Sequence, residues 1–320
     1  MLFFKSINHR FISMKNIFFA SVSLLVALPA HALVGGAVDD NLATSPWAGV
    51  GAITINNGTF TGALISDRYV LTAAHVVSGQ VSTPGNVSFT LNAGSDASQV
   101  IVAESITVFP GYTGTSTGVD GVWHDDLALI RLATPVSADV PVYDLFAGAL
   151  SKQTVTLVGY GASGDGATVS ADPNVKHTGQ NRIDALLVDD DGGVQKEVFI
   201  FDFDGSDPSS NVYGSDVSPN LTLGASVEAQ FAGGDSGSPV FVDVGGVWMI
   251  AGIANFNGST TGLPGSNIAF GSIGGGSLVA PSLPWIQETL SAPVPEAEVY
   301  ALMLTGLGLV ALMASRRRKI

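Results

Sequence analysis

The stretch Gly233-Gly234-Asp235-Ser236-Gly237-Ser238-Pro239 runs directly into an apolar, β-branched segment, Ser238–Val242. Glycine on both sides of a hydroxyl permits a tight turn, and such a turn exposes the Ser236 Oγ at its tip. The same geometry lets backbone N–H groups converge on one point, where an anionic oxygen would be held. A tight turn feeding a short strand is a β motif, and the pattern repeats along the chain. Short apolar runs occur at Gly49–Ile55, Ala63–Ile65, Tyr69–Thr72, Val87–Leu91, Leu127–Leu132, Thr154–Val158, Val198–Phe203, Val247–Ile253 and Ile268–Phe270, separated by Gly, Asn, Ser and Asp. Many short strands with turn signals between them predict an all-β sandwich or barrel. Pro281–Leu290 is the clearest helix, with Ser282 as its cap, Pro284 in its first turn, and Trp285, Ile286 and Thr289 on one face. Residues 133–150 read as a connection between two halves.

Composition narrows the function classes. The 320 residues include no cysteine, so disulfides and thiolate–metal sites are excluded. Between Leu33 and Val294 there are six basic and twenty-five acidic residues, a net charge of −19. Such a surface repels nucleic acid and anionic lipid, so neither is an expected partner. Both ends read as targeting segments. Met14-Lys15-Asn16, the apolar run Ile17–Leu28 and Ala30-His31-Ala32 have the plan of a secretory signal peptide, which assigns residues 1–32 to a leader starting at Met1 or Met14. Val299–Ala314 is a largely apolar run followed by Arg316-Arg317-Arg318-Lys319. It is shorter than the ~17–25 residues a spanning helix prefers, and the basic cluster would stay on the cytoplasmic side.

A serine nucleophile needs a base to take its proton and a carboxylate to orient that base. Removing the leader takes away His9 and His31 and leaves His75, His124 and His177. His75 follows a strand that ends in small residues, Val70-Leu71-Thr72-Ala73-Ala74, which let an imidazole approach other backbone closely. Asp126 opens the buried run Asp126–Leu132, where a carboxylate is costly unless hydrogen-bonded, and an imidazole partner suits it. Asp125 is its rival; strand alternation puts the two on opposite faces, so one of them meets the imidazole. His124 and His177 lie in polar surroundings and are expected at the surface.

Leu71-Thr72-Ala73-Ala74-His75, Asp126-Leu127-Ala128-Leu129 and Gly234-Asp235-Ser236-Gly237-Ser238-Pro239 together resemble the three catalytic blocks of the trypsin/chymotrypsin-like serine proteases, in that family's order. Leu33-Val34-Gly35-Gly36 is similar to the family's mature N-terminus, Gly159-Tyr160-Gly161 to its Gly-Trp-Gly turn, and Trp285–Leu290 to its closing helix. The resemblance implies two six-stranded antiparallel β-barrels with a short C-terminal helix and the site in the cleft between them. It divides the chain into a first barrel over 33–145, a second barrel with the closing helix over 146–291, and a tail over 292–320. It implies that Ser236 attacks a peptide carbonyl, His75 shuttles the proton, Asp126 fixes its tautomer, and the Gly234 and Ser236 N–H groups form the oxyanion hole. It further implies that Asp235 pairs with the amine freed at Leu33, so that signal removal after Ala32 and activation would be one event.

The chain also departs from the family. Val76 and Thr61 stand where a cystine usually braces the histidine loop. Gln230 falls at the base of the specificity pocket, where it disfavours Lys/Arg substrates. Ala254-Asn255-Phe256-Asn257 resembles the pocket wall, with Asn257 where glycine is frequent, which narrows the pocket towards small or medium uncharged side chains. The resemblance implies an endopeptidase acting on protein or peptide substrates; a catalytically silent relative that binds peptides is the alternative. No metal or other cofactor is expected for the chemistry, although Asp202-Phe203-Asp204-Gly205 offers hard oxygens to Ca²⁺ without a full twelve-residue binding loop. Val294-Pro295-Glu296-Ala297, the apolar run and the basic tail resemble the PEP-CTERM sorting signal of Gram-negative bacteria. That implies export, with signal peptidase and an exosortase as processing partners; a plain membrane anchor is the other reading of the tail. Either way, membrane contact is expected only through this C-terminal segment.

Overall fold

The computed structural model of the chain describes residues 33–115, 122–164, 169–171, 175–213, 222–259, 268–292 and 305. Residues 1–32, expected as a leader, and most of the expected sorting segment lie outside these residues. Among the described residues no helix is long and apolar enough to cross a membrane.

The elements in chain order are β1 (Leu33–Val34), β2 (Ala37–Asp39), β3 (Val50–Ile55), β4 (Gly58–Leu64), β5 (Tyr69–Thr72), α1 (Ala74–Val77), β6 (Val87–Leu91), β7 (Gln99–Val108), β8 (Ala128–Leu132) and β9 (Asp144–Leu145). They continue with β10 (Thr154–Gly159), β11 (Ala162–Gly164), β12 (Val169–Ala171), β13 (Lys176–Arg182), β14 (Ala185–Val188), β15 (Lys196–Asp202), β16 (Pro239–Val244), β17 (Val247–Ser259), β18 (Ser272–Leu278) and α2 (Leu283–Ser291).

Strands β3-β4-β5-β8-β7-β6 close a six-stranded antiparallel barrel. Its first hairpin turns at Asn56-Asn57, both at positive φ, as a two-residue turn matching strand twist requires. Ile53, Leu64, Val70, Phe89 and Ile130 are among the buried residues of its core. The second half is one sheet in the order β14-β15-β18-β17-β16-β10-β13-β2, with β9 pairing alongside β17. The β16–β17 hairpin turns on Gly245-Gly246, again both at positive φ. No ladder joins β13 to β14, so among the described residues this sheet stays open, and with β2 and β9 it counts nine strands rather than six. Its core includes Leu157, Phe199, Phe201, Phe231 and Val240. The fold is therefore mostly β, with one closed barrel, a second antiparallel sheet and a short C-terminal helix, as expected of the trypsin-like architecture.

Aromatic packing joins the two halves. Trp47 lies 4.9 Å from Phe241 and 5.0 Å from Trp248, centroid to centroid, and Tyr143 lies 4.7 Å from Phe241. Such pairs add about 0.5–1.5 kcal/mol each beyond their buried area.

Several local expectations are corrected. Ile268–Phe270 is a short helical turn and bend, not a strand. The closing helix starts at Leu283, and Ser282 makes no side-chain cap hydrogen bond. His124 and His177 are buried, at 6% and 1% exposure. His177 sits on β13 between β10 and β2, which cover it from both sides. His124 sits under the acidic hairpin of the second half, with its Nδ1 3.9 Å from Asp190 and 3.8 Å from Glu197.

Candidate active site

His75 lies one residue inside α1, which begins as soon as β5 ends; Ala73 is the extended residue between them. Ala73 and Ala74 are fully buried, so their small size brings the imidazole close against the barrel rim. Asp126 is also fully buried and grips His75 at two points. Its Oδ1 accepts the His75 backbone N–H at 2.7 Å, and its Oδ2 lies 2.6 Å from His75 Nδ1. A carboxylate bonded on both oxygens holds one face of the ring and favours the tautomer with the proton on Nδ1.

The choice between Asp125 and Asp126 is made by backbone strain rather than by strand alternation. β8 starts only at Ala128, and Asp125 has φ +55°, with its carbonyl accepting the Leu127 N–H at 2.7 Å. A non-glycine residue in this region costs roughly 1–2 kcal/mol. The reversal turns Asp126 inward and sends Asp125 out beside Gly111, where any Cβ would lie 2.0 Å from the carboxylate. Burial and the nearby Asp189, Asp190 and Asp191 push the Asp125 carboxyl up to about 6.

The serine turn follows the sequence reading closely. Gly234 and Gly237 have φ +100° and +84°, and a Cβ at Gly237 would lie 2.1 Å from Thr72 Oγ1 and 2.2 Å from the Thr61 carbonyl. Only glycine fits there. The Asp235 carboxylate is fully buried and accepts the N–H groups of Gly161 and Ala232, each at 2.9 Å. Burial pushes its carboxyl up to about 7 despite these two donors. Among the described residues, the Gly234 and Ser236 N–H groups donate to no protein acceptor, which leaves both for a bound oxyanion.

Thr61, from the opposite barrel, braces this turn. Its N–H donates to the Ser236 carbonyl at 3.0 Å and its hydroxyl to the Gly234 carbonyl at 3.2 Å. The Tyr160 N–H donates to the same hydroxyl at 3.0 Å. The threonine at the absent cystine's place thus ties the two halves at the turn.

Ser236 and His75 line one cavity of about 590 Å³, together with Trp123, Phe231, Phe256 and Asn257 among others. No hydrogen bond joins Ser236 Oγ to the imidazole. Bonds of this kind commonly tighten only when substrate is bound. Trp123 packs on His75 with ring centroids 4.9 Å apart. An aromatic three residues before Asp126 was the available sequence signal for it, and the motif reading passed over it.

The specificity-pocket residues separate into two groups. Asn257 lines the cavity and donates its Nδ2 to the Phe231 carbonyl at 2.7 Å, strapping one wall to the other. Asn255 also lines it, but its amide engages Ser277 Oγ at 2.8 Å. Gln230 does not line the cavity. It is fully buried, with its amide donating to Ser272 Oγ at 3.0 Å and its Oε1 accepting the Phe231 N–H at 2.8 Å.

Leu33 is fully buried in β1, which pairs in parallel with β11. Val34 and Gln230 exchange both backbone hydrogen bonds, at 3.0 and 2.8 Å, which places β1 against the segment leading to the serine turn. No hydrogen bond or ion pair links Leu33 to Asp235 among the described residues. Asp189, Asp190 and Asp191 form one acidic group whose oxygens lie within 4.8 Å of one another, two of the three residues being exposed.

Residues 34–273, three quarters of the chain, match the family model described as Trypsin. Among curated proteins, phenoloxidase-activating factor 3 of Holotrichia diomphalia is 38% identical over 121 residues, covering 32% of this chain and 33% of that protein. The complement C1s subcomponent of Sus scrofa is 31% identical over 104 residues, covering 32% of this chain and 14% of that protein. The matched stretches thus span a third or less of these relatives' own length.

Proposed function

This chain belongs to the trypsin family, and on that premise we propose that it is an exported serine endopeptidase. The observation that carries the reading is the two-point grip of Asp126 on His75 at the edge of a cavity that also holds Ser236. In this mechanism His75 Nε2 takes the proton from Ser236 Oγ as the oxygen attacks a peptide carbonyl. Asp126 holds the Nδ1 proton and stabilises the imidazolium that forms. The Gly234 and Ser236 N–H groups receive the developing oxyanion. His75 then protonates the leaving amine, and water repeats the cycle on the acyl-enzyme.

One feature supports a substrate preference for small or medium uncharged side chains: the Asn257–Phe231 hydrogen bond straps one wall of the pocket to the other. Export rests on the leader pattern over 1–32, and cleavage after Ala32 would free an amine at buried Leu33, which we assign as the partner of the buried Asp235. A cation there would offset the burial that raises the Asp235 carboxyl. We assign the tail to PEP-CTERM-type sorting, with removal by an exosortase.

The missing Ser236–His75 hydrogen bond favours a second reading, a catalytically silent peptide-binding relative. A fluorophosphonate probe separates the two. The endopeptidase reading expects labelling of mature protein that disappears in Ser236→Ala. Folded, mature protein that takes no label points to the binding module.

A further inference from the structure

Behind the serine turn, four carboxylates from three separate segments are buried together: Asp184 at 8% exposure, Asp202 and Asp204 at 3%, and Glu228 at 1%. No ion pair among the described residues reaches any of them. Backbone donors serve several of their oxygens. The Asp202 N–H donates to Asp184 Oδ2 at 3.0 Å and the Tyr213 N–H to Asp202 Oδ2 at 2.9 Å. Glu228 accepts from Asp204 N–H at 2.7 Å and Leu223 N–H at 2.6 Å. Asp204 Oδ1 is different: it is buried and has no hydrogen-bond partner. An ionised carboxylate so placed costs several kcal/mol unless a countercharge or a proton relieves it.

We propose that Asp204, with Asp202 and Glu228, binds a hard divalent cation of the Ca²⁺ type. The chemistry fits: every donor is a carboxylate oxygen, each oxygen already bonded to an N–H keeps a second lone pair, and Ca²⁺ takes six to eight such ligands. Among the described residues these oxygens are not gathered within 4.8 Å of one another as those of Asp189–Asp191 are, so binding requires the three carboxylates to close on the ion.

The site's position gives the cation a task. Glu228 lies two residues before Gln230, whose backbone is paired both ways with Val34. A bound ion therefore fixes the strand that leads into Gly233–Pro239 and docks the Leu33–Val34 arm, in a chain without cystines.

The test uses the mature protein carrying Ser236→Ala, which prevents self-digestion, stripped by chelator and titrated with Ca²⁺ in a scanning calorimeter. At a hundredfold excess over Kd the melting temperature should rise by roughly 5–10 °C. Asp204→Asn should abolish that rise without lowering the melting temperature of the stripped protein, because the uncompensated charge is gone. Asp190→Asn, in the exposed acidic group, should retain it. Should Asp204→Asn fail to fold, Asp202→Asn takes its place. The proposal falls if Ca²⁺ produces no rise, if the rise survives the substitution at Asp204 or Asp202, or if it is lost in Asp190→Asn instead.

Discussion

Replacing Asp126 by Asn tests the proposed mechanism at its most constrained point. Both oxygens of Asp126 face donors, the His75 backbone N–H at 2.7 Å and Nδ1 at 2.6 Å, and the side chain is fully buried. Asn keeps one oxygen and presents one NH₂. If the oxygen stays on the backbone N–H, the NH₂ faces Nδ1 and forces it to accept. The proton then sits on Nε2, where Ser236 needs a base. If the amide turns over, the NH₂ meets a backbone donor, and a buried N–H loses its acceptor at about 1–3 kcal/mol. The first arrangement costs less, so the wrong tautomer prevails. The expected loss is about 10⁴ in kcat, or about 5 kcal/mol of transition-state stabilisation, the size this change has elsewhere in the family. Turnover of a peptide substrate, normalised by protein that passes a thermal-melt check, measures it. A folded Asp126→Asn variant that loses less than tenfold would refute the assignment of Asp126.

Two other outcomes are expected. Asn257→Gly removes the strap to Phe231, so peptide-library cleavage should shift towards larger uncharged side chains; an unchanged profile would show that Asn257 does not set the width. In chelator, the melting temperature should fall as pH rises from about 5 to about 8. Asp184, Asp204, Asp235 and Glu197 have folded-state values pushed up to about 8, 7, 7 and 7, above those of the unfolded chain. Raised carboxyls stabilise fully below the unfolded value and lose that contribution as pH climbs through the folded one. A melting temperature that rises across this window would contradict the buried state of these groups.

The β architecture was legible wherever apolar runs were local. Tyr69–Thr72 and Val87–Leu91 are strands with the bounds expected from sequence. β13 was not legible, because Lys176–Arg182 reads as a polar loop. Its polar residues are satisfied by remote partners: Lys176 Nζ donates to the Trp47 carbonyl at 2.7 Å, and Asn181 Nδ2 to the Asp202 and Ala229 carbonyls. No local pattern encodes such bonds. β18 was hidden by Gly274-Gly275-Gly276, which reads as a loop. A Cβ at Gly276 would lie 1.9 Å from the Ile253 carbonyl, and one at Gly275 would lie 2.4 Å from the Phe256 ring. The glycines are there because neighbouring groups occupy the space. At the site, motif order located His75, Asp126 and Ser236. The sequestration of Gln230 could not be foreseen, since it depends on Ser272, forty-two residues away.

Thr61 carries a consequence for the way the molecule fails. It belongs to the first barrel, yet it holds the carbonyls of Gly234 and Ser236 in the second. When the halves part under heat, the serine turn loses its brace at the same moment. A partly opened copy is therefore disarmed before it is fully unfolded. A population of such proteases would contain folded attackers and harmless victims, but few damaged copies still able to cut their neighbours.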